Sequence, residues 1–112
     1  MTHFMKLQEQ PFALIASGQK TIELRLNDEK RQLVQVGDQI VFTRADGRQL
    51  TVQVIQLHRF ASFAQLYKAL PLEKCGYLPE ELATADPKDM EAYYCAQQQE
   101  KYGVLGIEIA LL

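Results

Sequence analysis

From Thr21 to Leu26 the chain alternates, with Ile22, Leu24 and Leu26 on one side and Thr21, Glu23 and Arg25 on the other. A period of two is the mark of a half-buried strand. It predicts an aliphatic row turned into a core and an oppositely charged row turned away from it. Ahead of this strand, Met5 to Leu7 reads as a short strand. Pro11 then opens a helix, at the position where a missing N–H costs nothing. Phe12, Leu14, Ile15 and Ala16 form its apolar face, and Gly18 stands where a left-handed C-cap would end it.

Beyond the first long strand, Asn27 to Gln32 is a polar run that reads as a solvated loop. Val36-Gly37-Asp38 turns the chain into a strand from Gln39 to Arg44. Asp46-Gly47 between two alternating runs is a hairpin signal, and the return strand covers about Gln49 to Phe60. Val54-Ile55 interrupts its alternation and predicts a bulge or bend. Ser62-x-x-Gln65 is a capping box opening a helix to about Leu70, with Phe63, Leu66, Tyr67 and Leu70 as its stripe. The span 71–85 has no clear period. Asp86 then caps another helix with Pro87 in first position. Met90, Tyr93 and Tyr94 supply its apolar face, a break is expected near Cys95, and Gly103 ends the helical part. Val104 to Leu111 is nearly all apolar, the pattern of a strand covered on both faces.

Composition narrows the classes. One domain over 1–112 is expected, since 112 residues support a single modest core. No apolar run approaches the roughly 20 residues needed to span a bilayer, and no basic-then-apolar export signal opens the chain. We therefore expect a cytoplasmic protein with no membrane partner and with Cys75 and Cys95 reduced. A net charge of −2 argues against a general nucleic-acid coat protein. The charge is uneven, however: residues 1–60 carry eight Lys/Arg against six Asp/Glu, and residues 61–112 carry four against eight. All five arginines fall in the first part.

No metal-ligand cluster, phosphate-cradling glycine loop or C-x-x-C pair is present, so no metal or cofactor is expected. The one constellation with chemistry is Lys20, Glu23 and Arg25, three ionisable groups within six residues at the mouth of a strand. On pattern alone, Glu23 and Arg25 also fit a surface pair of small energetic weight. Arg59 is a candidate oxyanion contact because its planar fork suits such groups. Tyr77, on an irregular loop, is a candidate to stack on a base. A tyrosine pinning its own loop to the core is an equal reading for Tyr77. His58 reads as a packed or surface residue.

Gly18, Lys20, Glu23 and Arg25 stand in a G-x-K-x-x-E-x-R pattern. Gly37-Asp38 before the strand Gln39–Phe42, and the closing Tyr102-Gly103-Val104-Leu105-Gly106-Ile107-Glu108, complete it. From Met5 to Leu111 the chain resembles the ASCH domain family, small proteins of the PUA-like superfamily. The resemblance implies an α+β fold: a PUA-like mixed β-barrel with short flanking helices. It implies a polar cleft around Lys20, Glu23 and Arg25, with the 27–32 loop beside it, which adds Arg31 and Asp28 as secondary candidates. The functions it implies are binding of RNA or of a modified nucleoside, with Lys20 and Arg25 holding phosphate or a base edge, Glu23 accepting from a base amino group, and Tyr77 or Tyr94 stacking on the base. The alternatives are hydrolysis of an acylated nucleoside such as acetylcytidine, RNA cleavage, or protein interaction through the acidic second part. In the related acetylcytidine amidohydrolases a lysine, a threonine and a glutamate make the active site. Here Lys20 matches, but Glu23 stands at the threonine position, with Thr21 the neighbouring hydroxyl and Glu73, on the 71–85 loop, a candidate second carboxylate that no motif places.

Overall fold

The computed structural model describes residues 1–112 and is a curled, five-stranded half-barrel flanked by short helices. The strands are β1 (Thr2–Lys6), β2 (Ile22–Leu26), β3 (Gln39–Thr43), β4 (Gln49–Phe60) and β5 (Val104–Leu111). The helices are α1 (Glu9–Ala16), α2 (Phe63–Ala69) and α3 (Ala96–Tyr102). The sheet order is β1-β3-β4-β5-β2, with β1 parallel to β3 and every other pair antiparallel. No helix is long and apolar enough to cross a membrane.

β4 makes this order possible. Its first residues pair with β3 and its later ones with β5, and the β5 register shifts between Val54 and Gln56. The interruption at Ile55 is thus a β-bulge, which bends a long strand so that it can serve two partners. The Asp46-Gly47 hairpin forms as the dipeptide predicts, with Gly47 at φ 91°.

Two apolar clusters flank the sheet. The larger joins Ile40, Phe42, Val52, Leu105 and Ile107 to Phe12 and Ile15 of α1. The smaller joins Ile22, Leu24 and Val104 to Phe63 and Leu66 of α2. β5 contributes to both, as its unbroken apolar run predicts. Gly106 allows the close approach of α2, since a Cβ there would lie 2.8 Å from Leu70 Cδ1.

The orientation of β2 differs from the reading of its pattern. Cross-strand partners share a face of a sheet. Glu23 pairs with Ile107 and Arg25 with Leu105, both in the larger cluster, whereas Leu24 pairs with Gly106 beneath α2. The charged row therefore points into the half-barrel, and Ile22 and Leu24 point outward under the helical layer. A period of two shows that the faces differ, but not which one is enclosed when both are covered.

Three local expectations are also corrected. The first strand runs Thr2–Lys6 rather than Met5–Leu7. Pro11 is the third residue of α1, not the first, because the helix starts at Glu9. It remains in the first turn, where backbone N–H groups have no intrahelical partner. The helix expected after Asp86 is a short 3₁₀ segment, Pro87–Ala92, and the break at Cys95 separates it from α3.

At Gly103 the chain passes from α3 to β5 in one residue, with φ 72° and space for a Cβ only 2.9 Å from Phe60 O. We expect Gly103→Ala to lower stability in urea unfolding by about 1–3 kcal/mol. Gly47→Ala, also at positive φ but in open space, should cost measurably less. Equal losses would show that the contact with the Phe60 carbonyl contributes nothing.

Candidate functional site

Lys20 reaches its place through backbone constraints on both sides. α1 ends at a left-handed Gly18 (φ 83°), and the amides of Gly18 and Lys20 donate to the carbonyls of Ile15 and Leu14 at 3.0 Å. Thr21 N–H then donates to Lys74 O at 2.9 Å, while Thr21 O accepts from Ile109 N–H at 2.9 Å. The lysine side chain lies against Gly76, where a Cβ would sit 3.2 Å from Lys20 Cδ. Gly76 has φ 108° and leaves room for that stem.

Lys20 Nζ lies 2.7 Å from Glu23 Oε1, and Arg25 Nε donates to Glu23 Oε2 at 2.8 Å. The side chains of Lys20, Glu23 and Arg25 are only 10%, 5% and 12% exposed. Burial is the largest single influence on the Glu23 carboxyl and pushes its pKa up. The Lys20 and Arg25 charges and hydrogen bonds together outweigh it and hold the group below the ordinary carboxylate range. Arg25 also reaches a second acceptor, since its Nη2 donates to Lys6 O on β1 at 2.8 Å. β1 and β2 are the two edges of the sheet, so this guanidinium spans the seam that no ladder closes. Lys30 Nζ adds a longer contact to Phe4 O at 3.5 Å.

The cluster forms the floor of a cleft of about 1100 Å³. One wall is the start of α1 with the ends of β1 and β3. The other is the irregular segment from Cys75 to Tyr94. On that second wall Tyr67 and Tyr77 hydroxyls meet at 2.7 Å, and Tyr77 donates to Asp89 Oδ2 at 2.7 Å. Burial first, then these hydrogen bonds, put the Tyr77 phenol far above its ordinary range. Tyr94 lies at 17° to the Phe63 ring, 6.4 Å between centroids. Tyr93, read from sequence as part of an apolar helix face, is instead 60% exposed and lines the cleft.

Of the residues singled out in the sequence, Lys20, Glu23, Arg25, Tyr77 and Tyr94 line one cleft. Arg31 and Arg59 do not. Arg31 turns back to Asp28, whose carboxylate accepts from its backbone N–H at 3.0 Å and from Nη1 at 3.2 Å. Arg59 is exposed on β4, and His58 pairs with Glu108 at 3.0 Å on the same strand pair. Glu73 is exposed and lies outside the main cleft. Sequence reasoning missed the cleft role of Asp89, in a short 3₁₀ segment, of Tyr93, in the turn that follows it, and of Tyr67, whose helical stripe hid a hydroxyl at the cleft wall.

Two groups at the floor are shifted away from their ordinary ranges. Cys75 is buried beside Lys20, and burial pushes its thiol up to about 11, away from the reactive thiolate. Glu23, held ionised below the usual range, is a weak proton acceptor near neutral pH. No group of three or more His, Cys, Asp or Glu gathers as metal ligands.

Residues 5–112 match the family model described as ASCH domain. Two solved structures are similar over the whole chain. The crystal structure of hypothetical protein PH0355 has 34% identity and a TM-score of 0.84, with 100% of each chain covered. The solution NMR structure of protein PF0455 from Pyrococcus furiosus has 34% identity and a TM-score of 0.75, covering 100% of this chain and 98% of that one. No curated protein matches significantly.

Because Glu23 titrates below its unfolded value of 4.5, it contributes stability above about pH 4.5 that is lost as pH falls through the folded value. Replacing it leaves two buried cations without their shared counter-ion. We expect Glu23→Gln to cost about 3–5 kcal/mol at pH 7, measured by urea unfolding. The gap to wild type should narrow from about pH 4.5 downward. A gap independent of pH would remove the ion cluster as its cause.

Proposed function

Because the chain belongs to the ASCH domain family, whose PUA-like fold is often linked to RNA binding, we propose that it binds a single nucleobase, carried by an unpaired RNA nucleotide or a modified nucleoside. The observation that carries this reading is the enclosed ion cluster at the floor of a cleft with tyrosines on its wall. Charged groups at the bottom of a concave site orient a ligand, and aromatic faces at the rim hold it by stacking. Tyr93 is the aromatic group best placed for that role. Its ring is exposed, whereas Tyr94 is packed on Phe63 and Tyr77 is tied by its hydroxyl to Tyr67 and Asp89.

The charge of the cleft favours a base over a long phosphate backbone. Glu9, Glu23, Asp46, Glu81 and Asp89 line it together with Lys6, Lys20, Arg25 and Arg44. Arg44 already faces Asp46 at 3.4 Å and Glu9 at 3.7 Å. Only Lys6 among these cations lacks a carboxylate within ion-pair distance. Such a surface offers little counterion release to a polyanion. Hydrolysis of an acylated nucleoside finds less support, since Glu23 replaces the expected hydroxyl and the nearby thiol is held protonated.

An amide-shift NMR titration with a short mixed-sequence single-stranded RNA tests the proposal. Saturable shifts confined to the cleft are expected, and Lys20→Ala should abolish them. Tyr93→Ala should weaken binding by about 1–3 kcal/mol, the usual contribution of one base–aromatic stack. Raising salt should change affinity with a slope of no more than about one phosphate contact. Absence of shifts with millimolar RNA and with modified nucleosides alike would refute nucleobase binding.

A further inference from the structure

We infer that the cleft selects bases presenting a carbonyl over bases presenting an amino group. This rests on the nucleobase reading above and goes further, because it follows from the hydrogen-bond capacity left at the floor. Glu23 is not available as a base acceptor in the way its residue type suggests. Each of its oxygens already accepts one bond, Oε1 from the Lys20 ammonium at 2.7 Å and Oε2 from Arg25 Nε at 2.8 Å, and at 5% exposure between them its remaining lone pairs are shielded from a ligand. It acts as the counter-ion that fixes two donors.

Those donors are only partly engaged. An ammonium has three N–H groups and a guanidinium five, and neither has a lone pair to offer. Lys20 uses one on Glu23. Arg25 uses Nε on Glu23 and one N–H of Nη2 on Lys6 O. The others meet no protein acceptor, although Lys20 is nearly enclosed. Buried donors require acceptors, so a ligand atom that displaces water from this floor must accept. A carbonyl oxygen does so. An exocyclic amino group would set N–H against N–H and leave both unsatisfied. A phosphate also accepts, and the floor itself carries two cations against one carboxylate, so phosphate is the competitor that the test must exclude.

Two nucleoside pairs test the difference: inosine and adenosine differ at position 6 of the base, and uridine and cytidine at position 4, by oxygen against amino nitrogen, with the neighbouring ring nitrogen changing from N–H to lone pair. Affinities of all four are measured by calorimetry on the wild-type protein, with inorganic phosphate as competitor. Inosine should bind more tightly than adenosine, and uridine more tightly than cytidine, by about tenfold or more. In Lys20→Gln, whose amide both donates and accepts, the ratios should fall toward one, provided its amide spectrum shows it folded. Adenosine binding as well as inosine, or cytidine as well as uridine, would overturn the inference while leaving nucleobase binding intact. Displacement of inosine by phosphate would overturn it by putting an anion at the floor. Failure of all four nucleosides to bind would remove it together with the reading on which it rests.

Discussion

A single carboxylate held between an ammonium and a guanidinium inside the half-barrel is the interaction on which the rest of this structure depends. Glu23 could not remain ionised in that position alone, since burial raises the free energy of an isolated charge steeply. Lys20 and Arg25 reverse that balance. In return the carboxylate aligns both cations, and Arg25 extends to the Lys6 carbonyl. One polar cluster thus links strands β1 and β2, which have no backbone ladder between them, and forms the floor of the cleft. A half-barrel of only five strands leaves a seam that cannot be filled by aliphatic packing without losing the opening. A guanidinium suits such a place because its flat fork satisfies two acceptors in different directions.

The remainder of the fold holds that cluster in position. Gly18 ends α1 so that Lys20 starts from a fixed point, and Gly76 lets the 72–76 turn lie against the lysine stem. α2 covers the outer face of β2 through Phe63 and Leu66, so the strand can turn its charged row inward. A second polar group, remote from the cleft, ties down the N-terminal end. Asp38 accepts from His3 at 2.8 Å, from the Gln35 amide and from the N-terminal ammonium, which hold its carboxyl down to about 2, His3 foremost.

Much of this was legible in the sequence where local rules decide the outcome. The Asp46-Gly47 hairpin, the Ile55 bulge, the Ser62 cap and the double-sided β5 all follow from turn chemistry or hydrophobic period. Lys20, Glu23 and Arg25 of the G-x-K-x-x-E-x-R pattern are the residues that form the cluster. The inward orientation of Glu23 and Arg25 was not legible, because alternation carries no sign when both faces are covered. Arg31 was drawn in by the resemblance and Arg59 by its planar fork, yet Arg31 serves its own turn through Asp28 and Arg59 stays outside the cleft. Asp89 was passed over and Tyr93 read as part of an apolar helix face, because the 3₁₀ segment Pro87–Ala92 and the turn after it are too short to show which period they follow. Their position follows from Met90 and Tyr94 packing beside them, which is tertiary information.

The most direct test of this account is amide hydrogen exchange on wild type and Arg25→Met, which keeps an unbranched apolar stem and removes the guanidinium. If one cluster closes the seam, protection should fall at the β1 and β2 amides, Thr2–Lys6 and Ile22–Leu26, while the central β4–β5 ladder keeps its wild-type protection. Unchanged exchange in both edge strands, or an equal loss across all five, would contradict it: the seam would then not depend on Arg25, and the cluster would be a feature of the cleft alone.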